Sequence, residues 1–235
     1  MTAGTRLDLQ ARWADPALTV LTVELAVAVF ILVPLGVLAP RSGLVFPLVL
    51  TALVAPLLVA AVVVAFSNRV ATAAIFVAIA LILTGIVLGL RGPATLVSYS
   101  YLLGTLLMGC ALIWVVAGMV FAAGPVTLHR LVGTLLLYLM IGTTFAGLYG
   151  TLGLLVPHPF AGMPPREDGA AVIAHTVYFS FVTLTTAGFG DVVPMHPLTR
   201  GLSNLESVIG QLFPATLIAR MVSLELASRP RGERS

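Results

Sequence analysis

Lysine is absent from this 235-residue chain, cysteine occurs once, at Cys110, and charged residues fill only 9% of positions. Soluble domains carry roughly 25% charged residues, so so little charge with a mean hydropathy of +1.10 excludes a water-soluble globular protein. A single cysteine implies neither a disulfide nor a thiolate metal site, and within its apolar run Cys110 reads as a packing residue. The four histidines, His129, His158, His175 and His196, share no metal-ligand spacing. His175 and Ser180 lie in one short apolar stretch without a Gly-x-Ser-x-Gly elbow, so no enzyme is expected. Gly188-Phe189-Gly190 lacks the rest of a dinucleotide fingerprint, no basic nucleic-acid surface is present, and no cofactor is implied.

Long apolar runs dominate instead. They cover about 17 to 39, 44 to 66, 70 to 90, 94 to 122, 128 to 155 and 197 to 226, each long enough to cross about 30 Å of hydrocarbon as a helix. Breakers and charges separate them: Pro40-Arg41-Ser42-Gly43, Ser67-Asn68-Arg69, Arg91-Gly92-Pro93 and Gly124-Pro125. The expected fold is an all-α integral membrane protein with six transmembrane helices. Between the fifth and sixth runs, Pro157, Pro159, Pro164 and Pro165 with Arg166, Glu167 and Asp168 read as a surface loop. The apolar stretch after it, about 170 to 184, is too short to span a bilayer and is expected to be a re-entrant helix, which only protein or a water-filled cavity can surround.

Arginine sets the orientation. With both termini cytoplasmic, Arg6, Arg12, Arg69, Arg130, Arg220, Arg229, Arg231 and Arg234 lie inside, against Arg41, Arg91, Arg166 and Arg200 outside, in line with the positive-inside rule. Residues 1 to 15, with Leu7, Leu9 and Trp13 among charges, fit an interfacial segment, and no cleavable signal is expected. The arginine, alanine and glycine bias points to a bacterial source, and so to an inner or plasma membrane.

Where the short helix ends, the chain reads Thr185-Thr186-Ala187-Gly188-Phe189-Gly190-Asp191. Gly188 and Gly190 enter dihedral regions closed to other residues, so carbonyls along one short segment can turn toward a common axis and replace the hydration shell of a cation. Two intramembrane acids, Glu24 and Glu206, are functional candidates by default, because a carboxyl at that depth is costly unless paired or wet. Glu206 suits either a cation attractor lining a cavity or, with slight preference, a structural hydrogen bond to backbone behind the 185–191 segment. Glu24 suits a pair with Arg69 or Arg130, or a hydrated crevice.

The seven-residue segment, its preceding short helix and the following span together resemble the potassium channel family, whose filter usually reads Thr-Thr-Val-Gly-Tyr-Gly-Asp. The resemblance covers about 128 to 226. It implies a selectivity filter of Thr185 to Asp191, with K+ held by Thr186, Ala187, Gly188 and Phe189 and the Thr186 hydroxyl at the innermost site. It also implies a homotetramer, since one chain supplies one filter strand, with membrane lipids and permeant K+ as the other partners. Gly210 falls where many members have an inner-helix hinge, an alternative being close packing. Pro214, Leu217, Ile218 and Met221 fall on the cavity wall or a constriction. Ala187 replaces the usual Val and Phe189 the usual Tyr, and Phe179 likewise offers no donor, so the filter wall is expected to rest on packing more than on hydrogen bonds.

The implied organisation is an N-terminal segment (1–15), a four-helix domain resembling a degenerate voltage-sensor-like unit (16–123), a pore domain (124–227) and a short basic cytoplasmic tail (228–235). Residues 94 to 122 contain no arginine, so strong voltage sensing is not expected. A weakly selective cation channel and a non-conducting regulatory subunit are the alternatives.

Overall fold

The computed structural model describes residues 18–38, 69–91, 94–121, 128–165 and 168–228. The 1–15 segment, the 44–66 run, the 229–235 tail and the side chains of Arg69, Met221 and Glu225 lie outside what is described.

Helix α1 covers 18–38 and contains a π-helical turn, Ala28–Leu32, closed by a bond from the Val33 N–H to the Ala28 carbonyl. Pro34 explains that turn: it has no N–H for the carbonyl four residues back, and its ring crowds that turn, so the helix widens there. Helices α2 (Arg69–Arg91) and α3 (Ala94–Val120) form an apolar pair, and α3 packs on α4 (Leu128–Leu155). Leu18, Leu25, Ile75, Leu112, Val116, Leu136 and Leu137 lie in the main buried cluster joining α1 to α4. Cys110, expected in packing, is exposed on α3. A neutral thiol on an apolar helix is compatible with a hydrocarbon surround, so nothing forces it inward.

Among the described residues, three helices are long and apolar enough to cross a membrane: Leu18–Leu35, Leu96–Val120 and Leu128–Leu155. The 70–90 run forms helix α2. The 197–226 run forms α6 (Pro197–Ser228), a 32-residue helix with Pro214 inside it. Asn204, Glu206, Ser207 and Gln211 keep α6 from being apolar all round.

The short helix α5 (Gly169–Leu184) lies between α4 and α6 and packs on both, with Val33–Leu38 of α1 also against it. Asp168 caps its start, accepting from the Ala171 N–H at 3.2 Å. A two-residue pairing then ties the loop before α5 to the segment after its end: β1 (Phe160–Ala161) runs antiparallel to β2 (Val193–Pro194), Phe160 opposite Pro194. Gly162, at φ +81, sits against the Asp191 carbonyl where a Cβ has no room. The Pro159 carbonyl accepts from the Met195 N–H at 2.9 Å and from the Thr199 hydroxyl at 2.9 Å. Both ends of the 185–191 segment are therefore anchored.

Candidate functional site

Helix α5 ends in a Schellman arrangement. The Ala187 N–H reaches back to the Val182 carbonyl at 2.9 Å and the Thr186 N–H to the Thr183 carbonyl at 2.9 Å, so the last-turn carbonyls are satisfied by the segment that follows. Such an ending needs one left-handed residue, usually glycine. Here it is Thr186, at φ +57. A β-branched residue is strained in that region, and strain of this kind persists only where the surroundings over-determine it.

Beyond Thr186, the sign of φ alternates. Gly188 has φ +55 and Gly190 φ +79, whereas Ala187 and Phe189 do not have positive φ. In an ordinary strand successive peptide groups face opposite ways; making every second residue left-handed turns them to a common side. Glycine supplies two of the three left-handed positions at no steric cost. All seven residues from Thr185 to Asp191 are exposed, directly after the fully buried Leu184.

Hydrogen bonds and rings brace this segment from behind. The Tyr138 hydroxyl donates to the Leu184 carbonyl at 3.2 Å, and Tyr178 stacks on Phe189 with ring centroids 6.5 Å apart. The Asp191 carboxylate lies near the Tyr178 phenol. Phe179 packs edge-on against Tyr149 at 4.9 Å and Phe160 at 5.1 Å, joining α5 to α4 and β1. The wall therefore uses hydrogen bonds more than the two phenylalanines suggest, because Tyr138, Tyr149 and Ser180 supply the hydroxyls.

Glu206 is fully buried at the meeting point of three helices. Its Oε2 accepts from the Tyr149 hydroxyl of α4 at 2.6 Å, and its Oε1 lies 2.5 Å from the Ser180 Oγ of α5. Ser180 Oγ is also 2.7 Å from the Gly142 carbonyl. Each carboxyl oxygen thus has a hydroxyl partner, which is what a buried acid requires. Glu206 is thereby a tie between α4, α5 and α6.

One turn of α6 lies against the end of α5. The Ser207 hydroxyl donates to the Thr183 carbonyl at 3.3 Å, Gly210 abuts the Leu184 carbonyl where a Cβ would collide, and Gln211 Nε2 donates to Thr186 Oγ1 at 2.7 Å. Gln211 had no motif to mark it; its one signal was a carboxamide inside an apolar run. Pro214 and Ile218 are exposed on α6 and Leu217 half-exposed. Glu24 is half-buried on α1, away from this cluster in the chain. Arg220 donates to the Phe121 carbonyl at 3.2 Å, its guanidinium 4.5 Å above the Phe121 ring. Three histidines bond locally or between helices: His175 Nδ1 lies 2.8 Å from the Ala171 carbonyl, His129 Nδ1 lies 2.8 Å from Thr19 Oγ1, and His196 Nδ1 accepts from the Leu198 N–H at 3.2 Å.

Residues 133–225 match a family model described as "Ion channel". The matched segment is similar to an ion-channel domain and takes in most of α4, all of α5, the 185–191 segment and most of α6. With the apolar helices, the match supports a channel function in a membrane protein. No curated protein and no solved structure matches the chain.

Proposed function

We propose that this chain is one subunit of a homotetrameric potassium channel in which Thr186, Ala187, Gly188 and Phe189 of four copies present their carbonyls to K+ on a shared axis. The observation that carries the reading is the alternating backbone hand at Thr186, Gly188 and Gly190, on an exposed segment anchored at both ends. Carbonyls turned to one side replace hydration water, and a row of similar sites lets mutually repelling ions leave as readily as they enter. Helix α5 is re-entrant in this reading and points its negative carboxyl end at the cavity, favouring a cation there. Asp191 sits at the outer mouth, where its carboxylate raises the local cation concentration. Conduction is passive and, without arginines in α3, not strongly voltage-gated.

A weakly selective cation pore is the second reading, favoured by one feature. Ala187 borders an apolar groove of about 480 Å³ that also touches Thr185, Tyr178 and Phe189, and its methyl fills less of that groove than the family's usual Val. Full-length protein in planar bilayers between potassium and sodium solutions distinguishes the two. A reversal potential near the potassium equilibrium value is expected. A value near zero replaces potassium selectivity with the second reading, and no cation current from folded protein overturns both.

A further inference from the structure

We infer that Gln211 is the positioning residue of the innermost ion site, holding the Thr186 hydroxyl in the orientation that presents its oxygen to the ion. The inference rests on the channel reading above and adds a side chain that the filter motif does not contain.

Three observations lead to it. First, Thr186 occupies the left-handed position of the helix ending, φ +57, where glycine is the relaxed choice. A threonine kept there at the expense of strain implies that its side chain is needed. Second, Gln211 Nε2 donates to that hydroxyl oxygen at 2.7 Å. The donated bond occupies one of the two lone pairs of Oγ1, leaving the other, and the hydroxyl proton, for different partners. A neutral oxygen so fixed offers its free lone pair to a cation in a defined direction. Third, the register that brings Gln211 to this height is set by its neighbours. Gly210 lies against the Leu184 carbonyl with no space for a Cβ, and Ser207 bonds the Thr183 carbonyl at 3.3 Å. The inner helix cannot slide along α5 without breaking these contacts, so the carboxamide stays level with Thr186.

A filler of the apolar run would be leucine or methionine, since an unpaired carboxamide is costly in hydrocarbon. Gln211 is instead exposed on α6 with its amide on Thr186. In the tetramer four such amides ring the axis just inside the filter.

Barium tests this. Its ion is close to potassium in radius but doubly charged, so it lingers where potassium passes, and its block reads the oxygens of the innermost site. In planar bilayers holding full-length protein, with barium added on each side in turn, Gln211→Leu is expected to raise the barium inhibition constant from the inner side about three- to tenfold, as for loss of one neutral hydrogen bond. Gln211→Met, close to glutamine in length, should do the same and serves if the leucine variant does not assemble. In a Thr186→Ser background, where no methyl restricts the side chain, the Gln211 substitution should act more strongly, because orientation then depends on the amide alone. Unchanged barium block in a conducting Gln211 variant, or an effect of equal size on threonine and serine, overturns the inference and leaves the channel reading standing. Absence of potassium current in the unsubstituted protein overturns both.

Discussion

Glu206 shows how one side chain can satisfy opposing demands. A carboxyl inside a membrane helix is costly, yet here each oxygen meets a hydroxyl, from Tyr149 and Ser180, and no surface is left to solvent. Glutamine fits the same network, accepting from Tyr149 and donating to Ser180, which in turn donates to the Gly142 carbonyl. Glu206→Gln is therefore expected to change stability by less than about 1 kcal/mol. Glu206→Ala opens a cavity and strands the Tyr149 hydroxyl, with an expected loss of about 2–5 kcal/mol. SDS titration of the protein in mixed micelles measures both. Equal losses in the two variants would contradict the network.

At the scale of the element, α6 is held by its small residues as much as by its large ones. Hinge and packing both suited Gly210 on sequence grounds, and in the structure Gly210 lies against the Leu184 carbonyl. Gly210→Ala puts a methyl into a backbone oxygen, which has no rotamer with which to move aside. The variant is expected to lower the thermal midpoint of the detergent-solubilised protein by several degrees. Gly201 is the control: nothing lies within 4 Å of a Cβ there, and alanine is the better helix former by about 1 kcal/mol. Gly201→Ala should match or exceed the unsubstituted protein, and a Gly210→Ala midpoint equal to that of Gly201→Ala would remove the packing assignment. Pro214, one turn later, leaves the helix assignment unbroken from Pro197 to Ser228.

For the whole molecule, the segment with the most unusual backbone is exposed. Thr185 to Asp191 are open in the single chain and the Phe189 ring is 73% exposed, although the helix behind them is anchored to α4 and α6. The proposed assembly covers this segment with copies of itself, since a carbonyl strand on one side of an ion cannot replace its hydration shell. Native mass spectrometry is expected to give a particle of four 24.5 kDa chains. A monomer that still conducts potassium would require a different pore.

Sequence alone determined what depends on local properties. Apolar length marked helices at 17–39, 70–90, 94–122, 128–155 and 197–226, and the structure has helices over the described parts of all five, with ends within a few residues. The break before 170 and the polar residues after 184 marked α5 to within one residue at its start. Gly188 and Gly190 announced positive φ because glycine alone reaches it freely. Tertiary structure decided what depends on the register of one element against another: that Glu206 meets Tyr149 and Ser180, that Gly210 lies on a carbonyl, that Gln211 reaches Thr186, and that Cys110 faces outward. It also put Thr186 in the left-handed position, against its own preference. Hydrophobic length and backbone freedom are carried by each residue in its own neighbourhood, whereas a hydrogen bond between helices exists only once packing has fixed which turn faces which.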